Sequence, residues 1–234
     1  MSQQSIQQRA VSLSQLGTFL RQTLRSETVE SAMLQPVLRQ AIAENPWFTN
    51  ESIRQALNYW AEHLSLSHLE VWLSHYEYKA HPPKRVLLIL AGNLPLVGFH
   101  DVVSTYLSGH IAVIKASQKD RVLLRFVLEQ LVKVDPNARQ HIDWTEHTTT
   151  NFEAVIATGS ANSGRYFDYY FKKYPHLIRR NRTSLAYLSA KTSASDLDLL
   201  RSDIFDFFGL GCRSVNHLIL QRGFDLQRLV DQLQ

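Results

Sequence analysis

Cys212 is the only cysteine of the 234-residue chain and follows two glycines in Gly209-Leu210-Gly211-Cys212-Arg213. Glycines let the backbone come close to a ligand and leave the thiol open. A positioned thiol can take an acyl group as a thioester, dividing one hard acyl transfer into two easier steps. Taken singly the signal is weak, because a lone cysteine is more often a small buried hydrophobe and no histidine adjoins this one as a base. Asn93, in Ala91-Gly92-Asn93-Leu94-Pro95, could aim a side-chain N–H at an oxyanion, a contact worth roughly 10²–10³ in rate when pre-organised. It could also cap a helix whose first turn holds Pro95, and spacing alone favours the cap. Lys115, opening Lys115-Ala116-Ser117-Gln118-Lys119, either points its ammonium into a ligand crevice or snorkels to water, with little to separate the two. Thr158-Gly159-Ser160-Ala161-Asn162-Ser163-Gly164 runs from a strand through a glycine turn into a helix start, presenting free N–H groups to an anion. It is neither a Walker loop nor G-x-G-x-x-G, so a phosphate site and a plain capped turn both stand. The 10 histidines form no H-E-x-x-H pair and a single cysteine builds no thiolate zinc site, so no metal centre is expected. His141 and His147 flank a strand candidate and read as surface residues.

Periodicity predicts the elements that must hold these groups. Before residue 80, Leu13, Leu16, Phe19, Leu20 and Leu24 fall at helical spacing, as do Met33, Leu34, Val37, Leu38 and Ile42. Pro46 stops the second segment, and Asn50 and Ser52 offer caps for a third carrying Ile53, Leu57, Trp60 and Leu64. A short fourth helix carries Leu69, Val71, Trp72 and Tyr76. His81-Pro82-Pro83 then marks a boundary. Beyond it, Val86–Leu90 is a continuous apolar run of the kind buried in parallel sheets. Ile111–Ile114, Ala154–Ala157, Ser184–Leu188 and Val215–Leu220 are further strand candidates. Helical stretches at Pro95–Leu107, Asp120–Val132, Ser160–Lys172 and Ser195–Phe207 alternate with them, which implies β-α-β units and a mainly parallel sheet. Ligands bind such sheets beyond the carboxyl ends of the strands.

Composition excludes several classes. With 44% hydrophobic and 20% charged residues the chain can bury a real core and is not a disordered tail. A net charge of +4 with no long basic stripe argues against nucleic acid. One cysteine suits a reducing cytoplasm, and neither an apolar signal core nor a run of about 18 apolar residues predicts export or a membrane span.

Together, Ala91–Lys119, Phe152–Arg182 and Asp203–Val215 resemble the aldehyde dehydrogenase superfamily. More closely they resemble its long-chain acyl-CoA or acyl-protein thioester reductase branch, the LuxC-type enzymes known from bacterial luminescence. The likeness runs from about Lys84 onward, and four motifs in order make it far more specific than any one of them. It implies an aldehyde-dehydrogenase-like α/β fold: an N-terminal helical region over 1–80, a parallel-sheet dinucleotide-binding domain over 84–182, and the start of a catalytic domain over 183–234. It also implies that Cys212 is the acyl-accepting nucleophile and that Asn93 and the Cys212 backbone N–H form the oxyanion hole. Lys115 would contact the adenosine ribose of a nicotinamide cofactor, with Ser117, Gln118 and Lys119 beside it. Gly159 and Ser160, with Gly164 beyond them, would place the pyrophosphate at a helix N-terminus.

Departures from the pattern refine the expectation. Oxidising members carry a water-activating glutamate where this chain has Arg179-Arg180-Asn181-Arg182. Without that base a Cys212 thioester should hydrolyse slowly and leave by thiol exchange or hydride reduction, which favours a reductase. Gln118 stands where NAD-preferring relatives place a ribose-binding glutamate, and Lys119 adds a cation, which leans toward NADPH. The expected activity is NADPH-dependent reduction of a fatty acyl-CoA or acyl-protein to a fatty aldehyde, with a homo-oligomer as the full-length form; apolar helices such as Val102–Leu107 could line an acyl tunnel, although such stripes are more often plain core. A CoA-acylating aldehyde dehydrogenase and a glutamyl-phosphate-type reductase remain enzymatic alternatives. A non-catalytic cofactor-binding or interaction module remains from another class, since the chain ends at Gln234 and reads as truncated.

Overall fold

A computed structural model describes residues 5–25, 28–79, 81–147, 151–180 and 182–233. Asn181, part of the stretch read in place of the glutamate, lies outside them, as do the boundary residue Ala80 and the terminal residue Gln234. The chain divides into two compact units, Met1–Arg179 and Arg180–Gln234.

The first unit opens with four helices: α1 (Ile6–Thr23), α2 (Val29–Glu44), α3 (Asn50–His63) and α4 (Leu66–Leu73). Capping boxes start the first three, since Ser5, Thr28 and Thr49 each accept the N–H of the residue three further on. The cap of α3 is therefore Thr49, with Ser52 as its reciprocal partner; Asn50, expected as a cap, is already helical. Tyr76, expected on the fourth helix, lies past its end. Leu13, Leu16 and Leu20 of α1 and Ile53 and Leu57 of α3 are fully buried, and Trp60 packs edge-to-face on Phe99 at 4.8 Å. The helices thus share one core with the sheet that follows. A buried carboxylate strengthens that junction: Asp135 accepts the hydroxyls of Ser12 at 2.8 Å and Tyr106 at 2.9 Å.

Five strands form the sheet: β1 (Arg85–Ile89), β2 (Ile111–Lys115), β3 (Ile142–Trp144), β4 (Ala154–Gly159) and β5 (His176–Arg180), in the order β3-β2-β1-β4-β5. The β1–β2, β1–β4 and β2–β3 pairs are parallel. Alternation along the strands covers both faces. Val86, Leu88, Ala112 and Ile114 enter the core shared with the N-terminal helices, while Leu87 and Val113 join Phe152, Val155, Ala157 and Phe171 on the other side. The helices α5 (Phe99–Leu107), α6 (Arg121–Val134) and α7 (Ala161–Phe171) follow β1, β2 and β4. Strand β5 was not foreseen; His176–Arg180 is half-exposed and lacks the apolar run that marks central strands.

In the second unit β6 (Ser184–Leu188) pairs in parallel with β7 (Val215–Leu220), joined through α8 (Ala194–Phe205) and followed by α9 (Leu226–Leu233). Leu188, Leu197, Leu200 and Leu229 form its core. No helix among the described residues is long and apolar enough to cross a membrane.

Candidate active site

Strand order fixes where a ligand can enter the first unit. The chain steps outward from β1 to β2 and β3, then crosses back to place β4 on the other side of β1. Ligands of open parallel sheets occupy the crevice at such a reversal, beyond the carboxyl ends of the strands. Register aligns those ends, with Ile89 opposite both Lys115 and Ala157. The segments that follow, Ala91–Asn93, Ser117–Lys119 and Gly159–Ser160, therefore emerge side by side along one edge.

The β1 segment differs from its expected form. Helix α5 begins at Phe99 behind Gly98, which offers no side-chain cap, so Asn93 is not the cap of that helix and Pro95 is not in its first turn. The intervening residues form tight turns, with Val97 N–H donating to Leu94 O at 3.3 Å and Phe99 N–H to Leu96 O at 3.0 Å. Leu96 is buried and holds φ 57°, a left-handed conformation that costs a leucine about 1–2 kcal/mol. Asn93 is half-buried in the bend that precedes it.

Gly92 shows how closely the first two loops meet. A Cβ there would stand 2.5 Å from Ser117 Oγ and 2.6 Å from Ser117 Cβ, closer than real Cβ contacts allow. Gly92→Ala should push the loops apart and lower stability by about 1–3 kcal/mol. The loss would be read as a reduced urea midpoint at constant m-value, and an unchanged midpoint would mean that the loops are not in contact.

Lys115 is half-buried at the end of β2, and Leu90 N–H donates to its carbonyl at 3.1 Å. Ser117 Oγ accepts the Lys119 N–H at 3.3 Å, while Gln118 and Lys119 are exposed. Asp120, read from sequence only as a helix start, is buried; desolvation pushes its carboxyl well above the usual carboxylate range, opposed by a hydrogen bond from the Leu96 N–H. At β4, Ser160 caps α7 by accepting the Ser163 N–H at 3.2 Å, and Gly164 is buried one turn on. A Cβ on Gly159 would meet Ser163 Cβ at 2.9 Å, so only glycine lets this strand run straight into its helix.

Val102, Val103 and Leu107 are 1–2% exposed and belong to the core, the commoner role of such a stripe, and Leu107 also backs the cleft beside α5. The outer side of α5 carries His100, Ser104 and Ser108 into that cleft, of about 270 Å³, with Trp72, Tyr76 and Tyr78. Arg179, at the end of β5, is ion-paired with the buried Asp101 carboxylate, a partnership that sequence spacing does not reveal.

In the second unit Cys212 is exposed and free of any disulfide. Helix α8 ends at Phe205, two residues earlier than expected, and Phe207, Phe208 and Gly209 adopt φ values of 53°, 58° and 65° in succession. A turn then closes with the Ser214 N–H donating to Gly211 O at 3.1 Å, and Cys212 and Arg213 sit at its tip. Among the described residues no cluster of three or more His, Cys, Asp or Glu could hold a metal ion.

Comparison with known proteins follows the same outline. The chain is similar in structure to a Burkholderia cenocepacia protein assigned as an aldehyde dehydrogenase, at 16% identity and TM-score 0.74, covering 98% of this chain and 51% of that one. It is also similar to an E. coli NADP-dependent enzyme (14%, TM-score 0.72, covering 98% and 50%). A NAD-dependent benzaldehyde dehydrogenase from Corynebacterium glutamicum gives 12% identity and TM-score 0.70, covering 98% and 54%. At such identities the likeness is one of fold, the aldehyde dehydrogenase fold, and the chain spans about half the length of each of these structures. No match was found among curated proteins. A sequence model of the acyl-CoA reductase (LuxC) family matches residues 26–228, most of the chain, which therefore belongs to the LuxC acyl-CoA reductase family.

Proposed function

We propose that the protein reduces a fatty acyl thioester, acyl-CoA or acyl-protein, to a fatty aldehyde with NADPH, by way of an acyl group carried on Cys212. The observation that carries this reading is the exposure of the sole thiol at the tip of a turn. In family terms that turn holds the nucleophile.

The thiolate of Cys212 attacks the thioester carbonyl, a new C–S bond forms, and the bond to the donor sulfur breaks, releasing a thiolate that takes up a proton. By the family resemblance, the Asn93 amide and the Cys212 N–H take the roles of donors to the oxygen as it becomes negative. When bound, the nicotinamide supplies a hydride to the carbonyl carbon. The C–S bond to Cys212 then breaks, the thiolate is restored, and the oxygen leaves as the aldehyde carbonyl.

The residues present suit a dinucleotide. Lys115, Ser117, Gly159 and Ser160 stand along one strand edge, and Ser160 opens a helix whose N-terminus favours phosphate. Structural relatives described as NADP- or NAD-dependent support a nicotinamide cofactor. Exposed Gln118, uncharged, and Lys119, a cation beside it, favour the 2′-phosphate of NADPH. The sequence Arg179-Arg180-Asn181-Arg182 carries no carboxylate to activate water, and the nearby Asp101 carboxylate is ion-paired with Arg179, which suits reduction over hydrolysis.

Incubation with radiolabelled palmitoyl-CoA tests the reading. Label should survive denaturation, be released by neutral hydroxylamine as a thioester is, and leave as aldehyde once NADPH is added. Protein that takes no label, or that releases it only as free acid, would overturn it. Thermal protection by NADPH without labelling would instead identify a cofactor-binding module.

A further inference from the structure

We propose that His110 is a proton-sensitive latch at the amino end of the sheet, whose neutral ring holds the segment entering β1 against the segment entering β2 and whose protonated ring releases it. The latch belongs to the first unit and stands apart from the acyl-transfer reading.

The bond that makes it a latch runs from backbone to ring. The Lys84 N–H, just ahead of β1, donates to His110 Nδ1 at 3.2 Å, and the Ile111 N–H, at the start of β2, donates to Lys84 O at 2.8 Å. Pro82 and Pro83 have no N–H, so Lys84 is the first residue after His81 whose amide can donate. A ring nitrogen accepts only while it carries no proton, so this bond requires His110 to be neutral, with its proton on Nε2. The backbone of His110 is anchored as well: its N–H donates to Thr105 O at 3.1 Å, and its carbonyl accepts His141 Nδ1–H at 3.0 Å. Protonation therefore turns the acceptor into a donor that faces the Lys84 N–H.

The surroundings oppose the proton. His81 stacks on the His110 ring at 4.4 Å, with 24° between the planes. Lys84 brings an ammonium, and Arg9 of α1, which donates to Leu107 O at 3.1 Å and 2.9 Å, brings a guanidinium. Glu153, whose carboxylate accepts the Arg85 N–H at 3.1 Å, acts in the opposite direction. On the remaining side His141 meets the ring of Tyr106 edge-on at 5.6 Å, and the Tyr106 hydroxyl is held by Asp135. Burial first, then His81 and Lys84, hold His110 below the ordinary histidine value, with Glu153 opposing them and Arg9 adding to them. The unfolded chain, whose histidine is ordinary, binds the proton more readily than the folded one, so stability rises with pH across that interval. The contribution of the latch is complete above about pH 6.5 and is lost as pH falls toward the lowered folded value.

Exchange of the Lys84 amide, read by NMR and divided by its intrinsic rate, tests the latch. Wild-type protection should fall about tenfold or more between about pH 7.5 and about pH 5.5, while protection of Leu87 inside the sheet stays within about twofold. His110→Asn offers a neutral oxygen acceptor close to the place of Nδ1 and cannot titrate, so its Lys84 protection should change by less than about twofold over the same interval. His110→Ala has no acceptor, and its Lys84 protection should be low at both pH values. Wild-type protection that ignores pH, or an equal loss in His110→Asn, overturns the proposal. So does undiminished protection in His110→Ala, or a loss at Leu87 equal to that at Lys84, which is the mark of general acid unfolding.

Discussion

Cys212→Ala is expected to abolish acyl capture from palmitoyl-CoA while leaving NADPH affinity within about twofold of wild type. The effect should be the largest of any single substitution, because losing the nucleophile of a covalent mechanism removes the step itself; in subtilisin the corresponding loss is about 2 × 10⁶ in rate. The structure makes the experiment clean. The thiol lies exposed at the tip of a turn, outside the core formed by Leu188, Leu197, Leu200 and Leu229, and surface substitutions away from special features stay within about 0.5 kcal/mol. A loss of labelling therefore cannot be assigned to unfolding if the melting temperature is unchanged. Label retained equally by variant and wild type would place the acyl group on another residue and end the covalent reading.

The parts of the fold that could be read in advance are those whose signal is local. Val86–Leu90 and Ile111–Ile114 are apolar without interruption because both faces of the sheet are covered, and both became central strands. The common carboxyl edge of Asn93, Lys115 and Ser160 follows from strand order together with parallel register. Errors arose where tertiary contacts override local preference. Asn93 and Pro95 have the spacing of a cap and a first helical residue, but the chain inserts a buried, left-handed Leu96 that no propensity anticipates. Asp120 looks like any helix-starting aspartate; only its surroundings reveal the missing cap bond. Val102–Leu107 has the apolar spacing of a tunnel lining and, more commonly, of a core, and burial bears out the core. Strand β5 carries a histidine and two arginines at its ends, a pattern that reads as loop until its neighbour β4 is in place.

Asn93→Ala should slow acyl transfer by about 10²–10³-fold, equivalent to about 2.7–4 kcal/mol of transition-state stabilisation, without changing the final extent of labelling or the affinity for NADPH. The magnitude separates the two roles open to this residue. A lost helix cap costs about 1 kcal/mol of stability and has no direct claim on rate. The structure has already removed the cap, since α5 begins at Phe99 behind Gly98 and is five residues beyond Asn93 at its cap position. Rapid-quench measurement of label incorporation, beside a urea melt, reads both quantities on the same sample. A stability loss of about 1 kcal/mol with an unchanged rate would return Asn93 to a purely structural role. A rate loss with an unchanged melt is the result expected of a side chain that meets the substrate only as its carbonyl oxygen gains charge, and it should persist at saturating thioester, because an interaction made only in the transition state lowers the maximal rate and not merely the affinity.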